Sequence, residues 1–214
     1  MITVRGVPFS GKGIDGDFTW MRKQKKYENS LLVYNDNFCD SLVTETNKGA
    51  GSAAVRDECW RFSENPRTAG IPTGWSVLSG GFDEANRFTQ IAIDCALDRL
   101  RLVLKEQGEI SEVIFSSSQD DHRKIGSSIF QIEEKIVDYI SNKILELENF
   151  ERTNFDKTHA SIDARERVLI PYAFLHRRCA RLEHEVSLLK RTSSNDYGSI
   201  RDGYGCQAKV TRYF

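Results

Sequence analysis

Long apolar runs are missing from this 214-residue chain. None approaches the roughly 18 residues of a membrane-spanning helix, so no membrane association is expected. Paired cysteines are missing too. The five present (Cys39, Cys59, Cys95, Cys179, Cys206) are odd in number, scattered and without a CxxC. That argues against a disulfide framework and for reduced thiols in a cytoplasmic protein. The start, MITVRGVPFSGKG, lacks the apolar centre of a secretory signal. An excess of one charge is absent: 30 Lys/Arg stand against 31 Asp/Glu, for a net charge of −1. No global field advertises a nucleic-acid partner. Residues 150–214 carry 12 Lys/Arg against 8 Asp/Glu, too mild an imbalance for a basic arm.

What is present reads as an ordinary globular chain, 39% hydrophobic and 29% charged. Residues 1–17 are glycine-rich and polar and read as an extended segment. Within them GVPFSGKG, Gly6 to Gly13, matches the phosphate-loop pattern up to its lysine. It ends in glycine where Ser or Thr should hold magnesium, and the following IDGDFTW is no helix. The cluster Lys23, Lys25, Lys26 reads as a solvated turn.

Leu31 to Tyr34 is a continuous apolar run, the pattern of a strand buried on both faces, and it breaks into polar Asn35-Asp36-Asn37. The glycine-rich stretch NKGAGSAAV leads from it toward a helix beginning near Ser52. Prolines and glycines punctuate the chain from Pro66 to Gly81. A long helix is expected over 83–107, capped by Asp83, lined by Phe88, Ile91, Cys95 and Leu102, and ended by Gly108. EVIFSSS is a second buried strand. Ile125, Ile129, Ile132, Ile136, Ile140 and Ile144 then mark an amphipathic helix. This alternation predicts an α/β fold, a parallel-rich mixed sheet flanked by helices, over residues 1–150.

Residues 151–214 read as a linker, a heptad-patterned helix and a flexible tail. Val168, Tyr172, Leu175, Cys179, Leu182, Val186 and Leu189 are separated alternately by four and three. This seam over 168–189 suits either the chain's own core or a homo- or hetero-oligomer. Pro171 is tolerable there only in a first turn. The tail from Thr192 has turn composition and reads as an extended arm.

Two loops leave strand ends and enter helices. In the first, Gly49, Ala50, Gly51, Ser52 and Ala53 are small enough to let a ligand reach the main chain, and the loop faces the same cleft as Asn35 and Asn37. The second, SSSQDDHRKIGSS, places Gly126, Ser127 and Ser128 at a helix start. Either loop could also be a plain turn with small or capping residues. Together, at one sheet edge, they could grip two phosphates or a phosphate and a ribose.

The order of segments resembles a macrodomain, the ADP-ribose-binding α/β module. LLVYNDN is similar to that family's asparagine-ended strand, and NKGAGSAAVRDE to its glycine-rich loop and helix. GIPTGW and VIFSSS…IGSSIF resemble its later strands and second phosphate loop. The resemblance covers roughly 31–147. Gly49-Ala50-Gly51 stands where the family has three glycines, and Asn35-Asp36-Asn37 where it has two asparagines. It implies a nucleotide-like ligand of the ADP-ribose class and no cofactor. Asn37 would meet the distal ribose, the backbone of 49–53 the diphosphate, and 126–128 the second phosphate face.

Asp36 is the one candidate for orienting a water in hydrolysis. Arg56 reads as a phosphate partner or, more simply, a surface ion-pair partner. His176, Cys179 and His184 lack metal-ligand spacing, and Cys179 belongs to the seam, so no metal site is expected. Asp120, Asp121 and His122 read as a solvated loop. The alternative to ligand binding is an assembly protein whose degenerate macrodomain-like core docks on partner subunits through helix and tail. Attachment of nucleic acid through Lys23–Lys26 and Arg177–Arg181 is the weakest reading.

Overall fold

The computed structural model describes residues 1–42, 51–76, 78–126 and 131–198, with side chains as far as 191. In chain order the elements are β1 (Thr3–Val7), α1 (Phe18–Met21), β2 (Ser30–Asn37), α2 (Phe38–Ser41), a 3-10 helix (Gly51–Glu58) and β3 (Thr68–Gly74). There follow α3 (Arg87–Glu106), β4 (Glu112–Ser116), α4 (Glu134–Leu145) and α5 (His159–Gly198). Three further short 3-10 turns complete the order. The strands form one four-stranded sheet in the order β1-β4-β2-β3, and every pairing is parallel. No antiparallel strand makes it mixed among the described residues.

The continuous apolar run of β2 has a direct cause. Leu31 and Val33 join the cluster that includes Ile93, Leu97 and Leu100 of α3, Ile136 and Ile140 of α4, and Leu169 and Ala173 of α5. Leu32 and Tyr34 join the other cluster, with Phe18, Met21, Tyr27, Ala53 and Val55. Alternate side chains go to opposite faces, so a sheet covered on both sides demands apolar residues at every position.

Four sequence expectations shift. Residues 3–7 are not loose extended chain: they form edge strand β1, paired with β4 from Thr3↔Glu112 to Val7↔Ser116. Gly6 sits inside that strand, and a Cβ there would lie 2.0 Å from the His122 carbonyl oxygen. The glycine serves close packing, and the residues after it reach a four-residue helix only at Phe18. Helix α3 starts at Arg87 under Asn86, whose side chain accepts from the amides of Phe88 and Thr89. Asp83 is not the cap, because the segment before Asn86 is tied to Glu133, through Ala85 N–H to its carboxylate and Glu133 N–H to the Phe82 carbonyl. Helix α4 begins at Glu134, since Ile125 and Gly126 are still bonded to Ser141 and to the end of β4. Its apolar stripe survives in buried Ile136, Ile140 and Ile144.

The largest shift concerns the C-terminal region. α5 begins at His159, inside the expected linker, and helix continues through 192–198, where an extended arm is expected. Residues 199–214 lie outside the described residues. The face of α5 that meets the core carries Ile162, Glu166, Leu169 and Ala173, not the heptad seam. Of that seam Tyr172 packs against the core, while Val168, Leu175, Leu182, Val186 and Leu189 are exposed. Pro171 lies well inside the helix. Its position and that of Arg167, whose carbonyl loses a partner, are both exposed to water, which is why the missing bond is tolerated.

Candidate functional site

The carboxyl ends of β2 and β4 make the edge at which parallel α/β sheets take ligands. β2 is the longest strand and ends Asn35-Asp36-Asn37, with a register shift against β3 between Asp36 and Asn37. The side chain of Asn35 donates to the Gly126 carbonyl, tying the β2 end to the loop that leaves β4. Gly126 in turn donates from its amide to the Ser116 carbonyl at 2.9 Å. A Cβ on Gly126 would come 2.7 Å from the Ser117 carbonyl oxygen, so this close approach requires glycine. Thus Asn35 and Gly126, two of the sequence-predicted site residues, meet directly.

Asp36 is fully buried. Arg56, reaching from the 3-10 helix and only 4% exposed, donates to both of its carboxylate oxygens, one of them from Nε at 3.1 Å. The Asn37 amide adds a third bond at 2.8 Å. Arg56 is therefore an ion-pair partner of the interior, not of the surface. The carboxylate considered for orienting water is engaged on both oxygens. Burial raises the Asp36 carboxyl above its ordinary value even against the Arg56 charge. Gly70 makes room for the pair: a Cβ there would lie 2.7 Å from Asp36 Oδ2 and 2.9 Å from the Tyr34 ring.

Asn37 is different. It is 8% exposed, and its Nδ2 donates to Asp40 at 3.2 Å. Its Oδ1 is buried with no hydrogen-bond partner among the described residues. Buried amide oxygens are rarely left so, and an unmet one costs about 1–3 kcal/mol. Because the NH2 group is committed to a carboxylate, the orphan atom is an acceptor in need of a donor.

The other expected ligand residues divide. Gly51 opens the 3-10 helix at φ 60° and is exposed, and Ser52 is half-buried. Ala53 turns its methyl into the core beside Val7 and Phe18. Gly49, Ala50, Ser127 and Ser128 lie outside the described residues. A small, partly open pocket of about 30 Å³ touches Asp36, Arg56, Trp60, Arg99 and Glu166. It is the size of one water and no place for a nucleotide. A groove of about 180 Å³ lies elsewhere, between the start of α3 and α4.

No family model, curated protein or solved structure matches the chain. Among the described residues no cluster of three His, Cys, Asp or Glu side chains could hold a metal ion. Nor is any described helix long and apolar enough to cross a membrane.

Two features near this edge escape the sequence reading. Trp75, directly after β3, packs edge-on against Phe38, Phe82 and Tyr172 and stacks with His176 at 5.7 Å. The Cys39 amide bonds the Trp75 carbonyl and its thiol bonds the Ala173 carbonyl, so α5 is fastened to the turn just after Asn37. Arg99 of α3 lies 3.8 Å from the Trp60 ring centre and pairs with Asp163 and Glu166 of α5. Both features fasten α5 to residues far from it in the chain, 64 positions for Arg99–Asp163 and 134 for Cys39–Ala173, so no local pattern announces them.

Proposed function

We propose that this chain is a macrodomain-like module that binds ADP-ribose or a related nucleotide diphosphate at the carboxyl edge of β2 and β4. The observation that carries the reading is the buried Oδ1 of Asn37, without a hydrogen-bond partner among the described residues, at a strand end where parallel sheets receive ligands. A ribose hydroxyl is the right chemistry for it, since it is a neutral O–H donor. The Asn35–Gly126 bond supports the same reading, because it ties the strand end to the second loop. Asp36, saturated by Arg56 and the Asn37 amide, organises the strand end, and the activity assigned to the module is binding, not hydrolysis.

Calorimetric titration with ADP-ribose tests this. Saturable heat in the micromolar range is expected. Asn37→Ala, which removes one neutral hydrogen bond, should weaken affinity roughly tenfold while leaving the fold intact. Absence of heat up to millimolar ligand overturns the proposal. One observation favours a second reading, an assembly protein docking through α5: the apolar residues beyond 174 on that helix stand in water.

A further inference from the structure

Past His176, α5 leaves the core. Every residue from 181 to 191 is exposed, and so are Leu175 and Cys179 on the turns before. Leu175, Leu182, Val186 and Leu189 are 59%, 51%, 48% and 69% exposed. With Cys179 they form one stripe at four- and three-residue spacing, on a face different from that carrying Ile162, Leu169 and Ala173 into the core. A projecting helix has little reason of its own to keep such a stripe, because charged helix formers would serve it as well and an exposed apolar stripe costs solubility.

We infer that this stripe is the seam of a parallel, in-register two-stranded coiled coil between two copies of the chain. The inference deepens the reading of α5 as a docking surface and names the partner. Three features of the sequence on this face select it. Leu175, Leu182 and Leu189 occupy successive d positions, while Cys179 and Val186 occupy a. Of these two Val186 is β-branched, and a β-branched residue at a with leucine at d is the combination that favours two parallel strands.

The flanking charges agree. The g positions are Arg178 and Glu185, and the e positions are Glu183 and Lys190. A parallel pair brings each g residue against the e residue five further along the other helix. That sets Arg178 opposite Glu183 and Glu185 opposite Lys190, so both contacts unite opposite charges. Glu185 already bonds Arg181 within its own helix at 3.0 Å, which holds it on this surface. The pairing starts at Leu175, because Tyr172 is taken by Trp75 and Phe88. By sequence it ends before Ser193, the next a position.

The test uses the full chain carrying Cys206→Ser, so that a cross-link reports on Cys179. Sedimentation velocity should show a concentration-dependent dimer. Leu182→Glu should convert it to monomer with unchanged circular dichroism of the core. Arg178→Glu should weaken association roughly tenfold by setting like charges face to face, and adding Glu183→Lys should restore it. Mild oxidation with oxidised glutathione should join the two copies through Cys179, which only parallel in-register helices bring together. A monomer at about 100 μM, a concentration above the dissociation constants of specific interfaces, overturns the self-pairing. So does a dimer that survives Leu182→Glu, or one that lacks the Cys179 link. In a monomer, a spin label at Leu182→Cys, in a chain that also carries Cys179→Ser and Cys206→Ser, separates the remaining cases. A mobile label leaves α5 open to other subunits. An immobile one means that the chain covers its own stripe, and the docking reading falls as well.

Discussion

Replacing Arg56 by methionine removes the cation from beneath a carboxylate that water cannot reach. The side chains of Arg56 and Asp36 are 5% and 1% exposed, and the Asn37 amide is the other donor that the Asp36 carboxylate keeps. Breaking a buried pair by deleting one partner costs about 3–5 kcal/mol, because the survivor is left charged without compensation. Against a typical total of about 5–15 kcal/mol that is a large fraction. For a chain of this length it corresponds to a melting point lower by roughly 6–20 °C.

The loss has a pH signature. Burial already holds the folded Asp36 carboxyl above its ordinary value. A group raised on folding contributes stability that is present below its unfolded value and is lost as pH rises through the folded one. Without Arg56 the folded value climbs further, so the deficit of Arg56→Met should be greatest near neutrality and shrink as pH falls. The double variant Asp36→Leu, Arg56→Met should recover much of the single loss, since hydrophobic replacement of both partners is often neutral. Urea denaturation followed by tryptophan fluorescence, at about pH 5 and pH 7, measures all three proteins. If Arg56→Met stays within about 1 kcal/mol of the parent at both values, the pair is solvated and this account of the strand end is wrong.

Three other perturbations probe the same architecture. Gly70→Ala forces a methyl to 2.7 Å from Asp36 and 2.9 Å from Tyr34, and should lose about 1–3 kcal/mol in the same urea assay. In a Leu182→Glu, Cys206→Ser chain, which keeps α5 unpaired, Cys179 should react with a thiol reagent at once, whereas burial pushes the Cys39 and Cys95 thiols up to about 11 and should protect them until unfolding. One rapidly titrated thiol of the four is the expected result, and a second would contradict the burial of Cys39, Cys59 and Cys95. Arg99→Met removes the pairing to Asp163 and Glu166 and the contact with Trp60. Hydrogen exchange over 159–166 should then quicken at least roughly tenfold while β2 stays protected, because the opening is local.

The sequence by itself determined what short-range pattern can encode. The unbroken apolar runs of β2 and β4 announced a sheet covered on both faces, and alternation with helical periodicity announced parallel strands. Asn35 and Gly126 were legible as a strand end and a glycine turn because both have local signatures, and the structure joins them by a hydrogen bond. Tertiary structure alone decided the rest. Edge strand β1 carries no pattern of its own and exists because β4 offers it a ladder. Asp36 looked like a polar strand end until Arg56, twenty residues away, closed over it in the space left by Gly70. The seam of α5 pointed to a buried face, yet the core took Ile162, Glu166, Leu169 and Ala173 instead. A helix carries both stripes in its sequence at once. Which of them meets the core depends on the shape of the surface it lands on, here the groove formed by α3 and the aromatic cluster at Trp75.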